Sequence, residues 1–404
     1  MDRVVSAFGL LCMIAIAYGL STRRKAVQWR PVLAGTLLQI LLGVVVLKTS
    51  GGRAFFETAK NLVNQITDYT GQGSAFLFGP LATDQNMGYI FAIQVLPTII
   101  FVGCVTGILY HLGIMQKIVQ CFAWVMVRLL KTSGAESLST AANVFVGQTE
   151  APLIVKPYIN KMTNSELMAL MSGGFATIAG GVLIAYAGMG IDAGHLLAAS
   201  VMSAPAALVC AKLMVPETEM PETAGTVQAK FEKTTVNVID AATTGAGDGL
   251  KLALNVGAML LAFVALIAML NGFIGWIGGW FGLETLSFQQ ILGWLFSPLA
   301  WLLGIPWQDA VQAGTLLGEK TVLNEFVAYA HLHEQVDKLS PRTVTILTYA
   351  LCGFANFSSV AIQIGGIGAL APDRRHDLAR LGIRALIAGT LACFMTACVA
   401  GIFI

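Results

Sequence analysis

Apolar runs of about twenty residues recur along this chain, and a run of that length has few places to go. They lie at residues 4–20, 31–48, 88–112, 167–187, 192–216, 250–272, 343–367 and 384–404. A helix of about 20 residues crosses the roughly 30 Å hydrocarbon layer of a bilayer, whereas a barrel strand needs only about 10. The expected fold is therefore an all-α polytopic membrane protein with eight transmembrane helices. The charge content agrees: 11% of the 404 residues are Asp, Glu, Lys or Arg, against roughly 25% in soluble domains. The formal net charge is only +2, and no basic patch interleaved with aromatics marks a nucleic-acid partner.

Run 4–20 reads as a retained first helix and not as a leader, because Arg23, Arg24 and Lys25 follow it instead of preceding it. The seven cysteines form no C-x-x-C pair and read as small membrane-core residues. Segments 54–70, 115–132 and 280–303 carry apolar residues at helical spacing with scattered charge, the pattern of helices lying at the interface. With the N-terminus outside, 17 of the 24 Lys and Arg fall on the inner side, in 23–30, 117–161, 212–251 and 374–384. That bias favours eight spans with both termini outside.

Two stretches, 135–160 and 307–334, are too mixed to cross as simple helices. The first contains Gln148, Thr149, Glu150 and Lys156 with prolines at 152 and 157; the second contains Glu319, Lys320 and Glu325. An acidic residue at membrane depth costs at least about 2.5–3.5 kcal/mol and marks a site by default. The alternative is a structural ion pair within or between these stretches, such as Glu150 with Lys320. His331 and His333, followed by Glu334, lack a third partner at useful spacing and read as interfacial surface, not metal ligands.

After each polar stretch comes a related apolar span. Gly174-Phe175-Ala176-Thr177 is echoed by Gly353-Phe354-Ala355-Asn356, and Gly188-x-Gly190 by Gly366-x-Gly368. In the topology above the two copies run in opposite directions, as an inverted transporter repeat requires. Glycines and polar residues in the middle of both copies are those of a small-residue interface or of discontinuous helices. The second reading supplies free carbonyls for a cation and free N–H groups for a substrate.

"AANVFVGQTEAPLIVKPYI", "NEFVAYAHL" and "ALCGFANFSSVAIQIGGIGALAPDRR" resemble the bacterial concentrative nucleoside transporter family in its sodium-coupled branch, and the similarity runs over nearly the whole chain. The resemblance implies a homotrimer whose protomers carry eight spans and two re-entrant hairpins. It implies scaffold helices in 1–112, a first transport repeat in 113–216, a loop with scaffold helix six and an interfacial helix in 217–306, and a second transport repeat in 307–404. In such a family the transport unit moves like an elevator. Carried over by position, Gln148, Thr149 and Glu150 face the nucleobase and Val182 packs on it. Glu325, Asn356 and Ser359 hold the ribose, and Phe354 lies against the nucleoside. The sodium site uses the Asn143 side chain, the Val146 carbonyl, the Thr177 hydroxyl and the Ile178 carbonyl. Thr177 stands where Ser is associated with the family; it keeps the hydroxyl and adds a methyl.

The residue chemistry suits such cargo. Ribose hydroxyls donate well to an ionised carboxylate, and an amide such as Gln148 both donates and accepts. Neutral oxygens suit a hard monovalent cation. The resulting expectation is a nucleoside importer, with uridine as a representative substrate, coupled to sodium in a bacterial inner membrane and surrounded by lipid. The rival within transport is proton coupling through Glu150 or Glu325. The rival from another class, an intramembrane enzyme acting on nucleosides, lacks a G-x-S-x-G, an H-E-x-x-H or a paired intramembrane Asp motif. A passive channel would take up nucleoside only to equilibrium.

Overall fold

Every long apolar run becomes helix, but two of the runs are cut in the middle. The computed structural model describes residues 2–84, 90–225, 235–280 and 286–404. Among these, seven helical segments are long and apolar enough to cross a membrane: Asp2–Gly19, Trp29–Lys48, Phe91–His111, Asn164–Gly188, Ala193–Met214, Val238–Gly279 and Pro372–Phe403. The eighth expected span, 343–367, is divided into Pro341–Leu351 and Phe357–Leu370, each too short to cross alone. The Asn164–Gly188 segment is divided in the same way, into Asn164–Ala176 and Gly180–Gly188. Both cuts fall where the repeated Gly-Phe-Ala-Thr and Gly-Phe-Ala-Asn sequences predict them.

At the first cut Thr177 is extended, with φ −124° and ψ 168°; at the second Asn356 is extended, with φ −140° and ψ 165°. The two extended stretches touch: the Phe354 N–H donates to the Thr177 carbonyl at 3.3 Å. Gly353 makes this approach possible. A β-carbon there would lie 2.6 Å from Cys393 Sγ and 2.7 Å from the Phe175 carbonyl oxygen. The Cys393 thiol donates to the Cys352 carbonyl at 3.3 Å, so a carbonyl released by the second break keeps a partner in a dry interior.

Helix starts in and around the polar stretches and the broken spans are capped by side chains, which satisfy N–H groups that have no intrahelical partner. Ser133 with Glu136 and Thr163 with Glu166 form capping boxes. Asn324, Ser340 and Asn356 accept from Val327, Thr343 and Ser359 N–H respectively. Buried Glu136 is also paired with Lys212 at 2.7 Å. Two arginines gather carbonyls released at chain turns. Arg374 donates to Met162 and Asn160, and Arg342 to Gly304, Gly401 and Ile404.

The first two spans pack on Ala193–Met214 and on the final helix, and the buried Gln39 amide donates to Thr396 Oγ1 at 2.9 Å. Leu96–His111 packs along Val238–Gly279 instead. There Gly103 and Gly107 meet Gly245 and Gly249 so closely that a β-carbon on Gly103 would lie 2.6 Å from the Gly245 carbonyl oxygen, a small-residue contact of the membrane type. The expected interfacial segment 54–70 lies inside a longer helix, Ser50–Phe78, with Leu62, Tyr69 and Phe76 exposed. Segment 115–132 is the helix Ile114–Leu130, whose Met115, Val119, Ala123, Met126 and Leu130 form its buried stripe. Among its described residues, segment 280–303 is helical over Phe288–Leu302; its residues 281–285, the start of span 88–112, and Lys230 and Lys233 of the inner-side count lie outside the described residues.

Gly353→Ala is expected to lower stability by about 1–3 kcal/mol through overpacking. Gly188→Ala, where a β-carbon meets nothing within 4 Å, should change it little. Thermal unfolding of both variants in detergent, with equal loss in each, would contradict the close approach assigned to Gly353.

Candidate functional site

The stretch 135–160 folds as the helix Gly134–Asn143, a loop, and two single turns, Ala151–Ile154 and Lys156–Ile159, each opened by a proline that lacks a donor anyway. The loop is clipped to the first broken span. Gly180 N–H donates to the Phe145 carbonyl at 3.0 Å, and Ser200 Oγ donates to the Val144 carbonyl at 3.1 Å. The second stretch, 307–334, folds as Ala310–Val322 and Glu325–Gln335, separated by Leu323 and Asn324. Glu325 thus opens a helix, where the exposed N–H groups favour a negative charge.

From these two tips and the second break a single chain of hydrogen bonds is built. The Tyr186 hydroxyl donates to Glu325 Oε1 at 3.0 Å, and Asn356 Nδ2 donates to Glu325 Oε2 at 2.8 Å. Asn356 Oδ1 accepts from Ser359 N–H at 2.9 Å and from Ser358 Oγ at 2.7 Å. Gln148 Nε2 donates to Ser359 Oγ at 3.1 Å, and Gln148 Oε1 accepts from Gln363 Nε2 at 2.9 Å. Four of the expected substrate residues, Gln148, Glu325, Asn356 and Ser359, are therefore brought together although up to 211 positions separate them. All four are buried.

The other four expected residues surround this chain without joining it by side-chain hydrogen bonds. Val182 is buried one helical turn before Tyr186. Thr149 and Glu150 are exposed at the first tip, with the Thr149 methyl beside Gly366. Phe354 is half-buried at the crossing of the two breaks. Sequence reasoning missed Tyr186 and Gln363. The available signal was a lone phenol in "GGVLIAYAG" and a lone amide in "FSSVAIQIGG", each a polar group in an otherwise apolar or small-residue run.

Next to the first tip lie the oxygens expected to hold a cation. Asn143 is the last residue of its helix. Its Nδ2 donates to the Ser139 carbonyl at 3.1 Å, while its buried Oδ1 has no hydrogen-bond partner among the described residues. Thr177 Oγ1 donates to the Gly173 carbonyl at 2.9 Å, which uses its proton and leaves its lone pairs. Gly173 also borders the Asn143 side chain, so both expected side-chain ligands meet at one glycine. Among the described residues no donor reaches the carbonyls of Val146 or Ile178, which lie in the loop and the break joined by the Phe145–Gly180 bond. An unpartnered buried oxygen beside neutral carbonyls and a hydroxyl fits a hard monovalent cation.

The remaining charges do not form the alternative ion pair of Glu150 with Lys320. Lys320 is fully buried, donates to the Ala350 carbonyl at 2.8 Å and sits over the Phe394 ring at 5.8 Å. Among the described residues it has no salt bridge with Glu150 or Glu319. Glu319 pairs instead with His331 at 2.9 Å, so His331 is a charge partner for the second stretch and not bare interfacial surface.

Comparison with known proteins places this arrangement. Family models described as Na+ dependent nucleoside transporter C-terminus and N-terminus match residues 195–401 and 8–81, and a nucleoside recognition model matches 92–193. The chain belongs to the sodium-dependent, concentrative nucleoside transporter family. Members are transporters, not enzymes, and sodium is the family's coupling ion. An uncharacterised transporter of Bacillus subtilis is 48% identical over 100% of both chains. Human solute carrier family 28 member 3 is 43% identical over 99% of this chain and 60% of its own. The solved structure of CNTnw in an inward-facing substrate-bound state superposes with a TM-score of 0.94 at 47% identity, covering 100% of this chain and 98% of that one.

Tyr186→Phe keeps the ring packing but removes a donor from buried Glu325. Substrate-free protein is expected to lose about 1–3 kcal/mol of stability, read by thermal unfolding; an unchanged midpoint would show that the phenol does not support the carboxylate.

Proposed function

We propose that this transporter imports nucleosides, uridine among them, with one sodium ion moving inward in each cycle. The observation that carries the reading is the hydrogen-bond chain from Gln148 through Ser359 and Asn356 to Glu325. It offers an amide to a base at one end and a carboxylate to ribose hydroxyls at the other. Thr149, Glu150, Val182 and Phe354 complete the pocket around the nucleoside. Asn143, Thr177 and the carbonyls of Val146 and Ile178 take the sodium ion. The two sites share the first tip, so occupying one orders the other.

In this reading the two polar stretches are re-entrant hairpins in an eight-span protomer, three protomers form the assembly, and both termini face outward from a bacterial inner membrane. The repeats 113–216 and 307–404 move as an elevator against a scaffold of 1–112 and 217–306. Leu96–His111, held against Val238–Gly279 by its glycines, packs on Gly180–Gly188 and gives the scaffold a face towards the first repeat. The second span is bonded to the final helix through Gln39 and Thr396. One sodium crossing inward gains about 2.3 kcal/mol per 100 mV, enough for roughly 40-fold accumulation at about 1.4 kcal/mol per decade.

The test is uptake of radiolabelled uridine by proteoliposomes with and without an inward sodium gradient. Gradient-dependent accumulation is expected; uptake that survives sodium removal and follows external pH would favour proton coupling, and uptake that stops at equilibrium would favour a channel. Glu325→Gln is expected to cut uptake at least about tenfold, since charge-assisted hydrogen bonds are lost. Asn143→Ala should raise the sodium concentration for half-maximal uptake, and an unchanged sodium dependence would move the ion elsewhere.

A further inference from the structure

We infer that Gln363 is a positioning residue that fixes which way round Gln148 presents its amide, and thereby which base edge the first tip accepts. The inference rests on the reading that Gln148 faces the nucleobase. The two ends of an amide have the same shape, so its direction is decided by its partners. One of those partners is unambiguous. The Met171 backbone carbonyl can only accept, and it lies 3.1 Å from the Gln363 amide, so the group facing it is Nε2. The same nitrogen lies 2.9 Å from Gln148, so the Gln148 atom facing it is Oε1. Gln148 Nε2 is then the atom 3.1 Å from Ser359 Oγ.

The far end of the chain is anchored with the same polarity. Glu325, taken as ionised, can only accept; Asn356 therefore turns Nδ2 to it and Oδ1 to the Ser359 N–H. With both ends set, three donors remain for a ligand: the second N–H of Gln148 and the Ser359 hydroxyl, whose oxygen already accepts, at the first tip, and the second N–H of Asn356 beside Glu325. Gln363 itself is sealed away from any substrate, 1% exposed. Its place exists because residue 174 is glycine: a β-carbon there would lie 2.7 Å from Gln363 Nε2 and 3.0 Å from Gln148 Cβ. The tip thus presents an N–H, which pairs with a carbonyl on the base edge and not with an amino group. A 4-carbonyl pyrimidine nucleoside is preferred over its 4-amino counterpart.

Uridine and cytidine uptake into proteoliposomes under one fixed sodium gradient tests this. Wild type should show the lower KM for uridine. Gln363→Leu, which releases the Gln148 amide to turn, should raise the uridine KM about tenfold, the scale of one mispaired polar group, while cytidine changes little. Gln363→Glu, unable when ionised to donate to Met171 or Gln148, should reverse the preference. The sodium concentration for half-maximal uptake should stay at the wild-type value in both. A third arm needs no variant: a uridine analogue lacking the 4-oxygen should bind wild type about tenfold more weakly, so a misfolded variant does not leave the question open. Wild-type accumulation of uridine with an unaltered uridine-to-cytidine KM ratio in folded Gln363 variants, or equal binding of the analogue, overturns this inference alone. Wild-type vesicles that accumulate no nucleoside overturn the transport reading beneath it.

Discussion

The hydrogen bond from Phe354 N–H to the Thr177 carbonyl joins two pieces of backbone that have left the helix inside apolar segments. Unpaired backbone groups at that depth cost several kcal/mol each, so such breaks persist only where they are buried or line a polar site. Here each break helps to satisfy the other, Cys393 adds a thiol donor, and Gly353 lets the chains come close enough. The hydrogen-bond chain of the candidate site is built beside that crossing. The first tip is clipped to one break through Phe145 and Gly180, and the second tip is bonded to the other through Glu325 and Asn356.

This arrangement gives the site a defined polarity. The Glu325 carboxylate and the Met171 carbonyl, both obligate acceptors, end a chain whose interior members are amides and hydroxyls. Each amide in between takes the orientation its neighbours accept, which leaves Gln363 Oε1 without a partner among the described residues. The oxygens proposed for sodium stand apart from it. Asn143 Oδ1 is buried without a described partner, a cost that a bound cation would remove. In the proposed function the shared first tip would make ion and nucleoside thermodynamically dependent on each other.

The membrane class, seven of the spans and both breaks were legible in the sequence, because apolar run length and mid-span glycines act locally. Gln148, Glu325, Asn356 and Ser359, which the structure joins in one hydrogen-bond chain, were singled out by motif resemblance and by the cost of polar groups at depth. Tyr186 and Gln363 were not. Each is a single polar residue in an apolar helix, and only the fold shows that one faces Glu325 and the other Gln148. The pairing of charges was missed for the same reason: Lys320 is adjacent to Glu319 in sequence, yet helical geometry turns it to the Ala350 carbonyl and leaves Glu319 to His331. The length of Ser50–Phe78 was underestimated because its polar face interrupts the apolar pattern.

If one tip serves both ligands, their binding free energies must be coupled reciprocally. The most direct measurement is equilibrium binding of uridine to the purified transporter in sodium and in choline, with sodium binding measured at zero and saturating uridine. Sodium is expected to tighten uridine binding, and uridine to tighten sodium binding by the same factor. Equal uridine affinity in the two salts would contradict a shared tip.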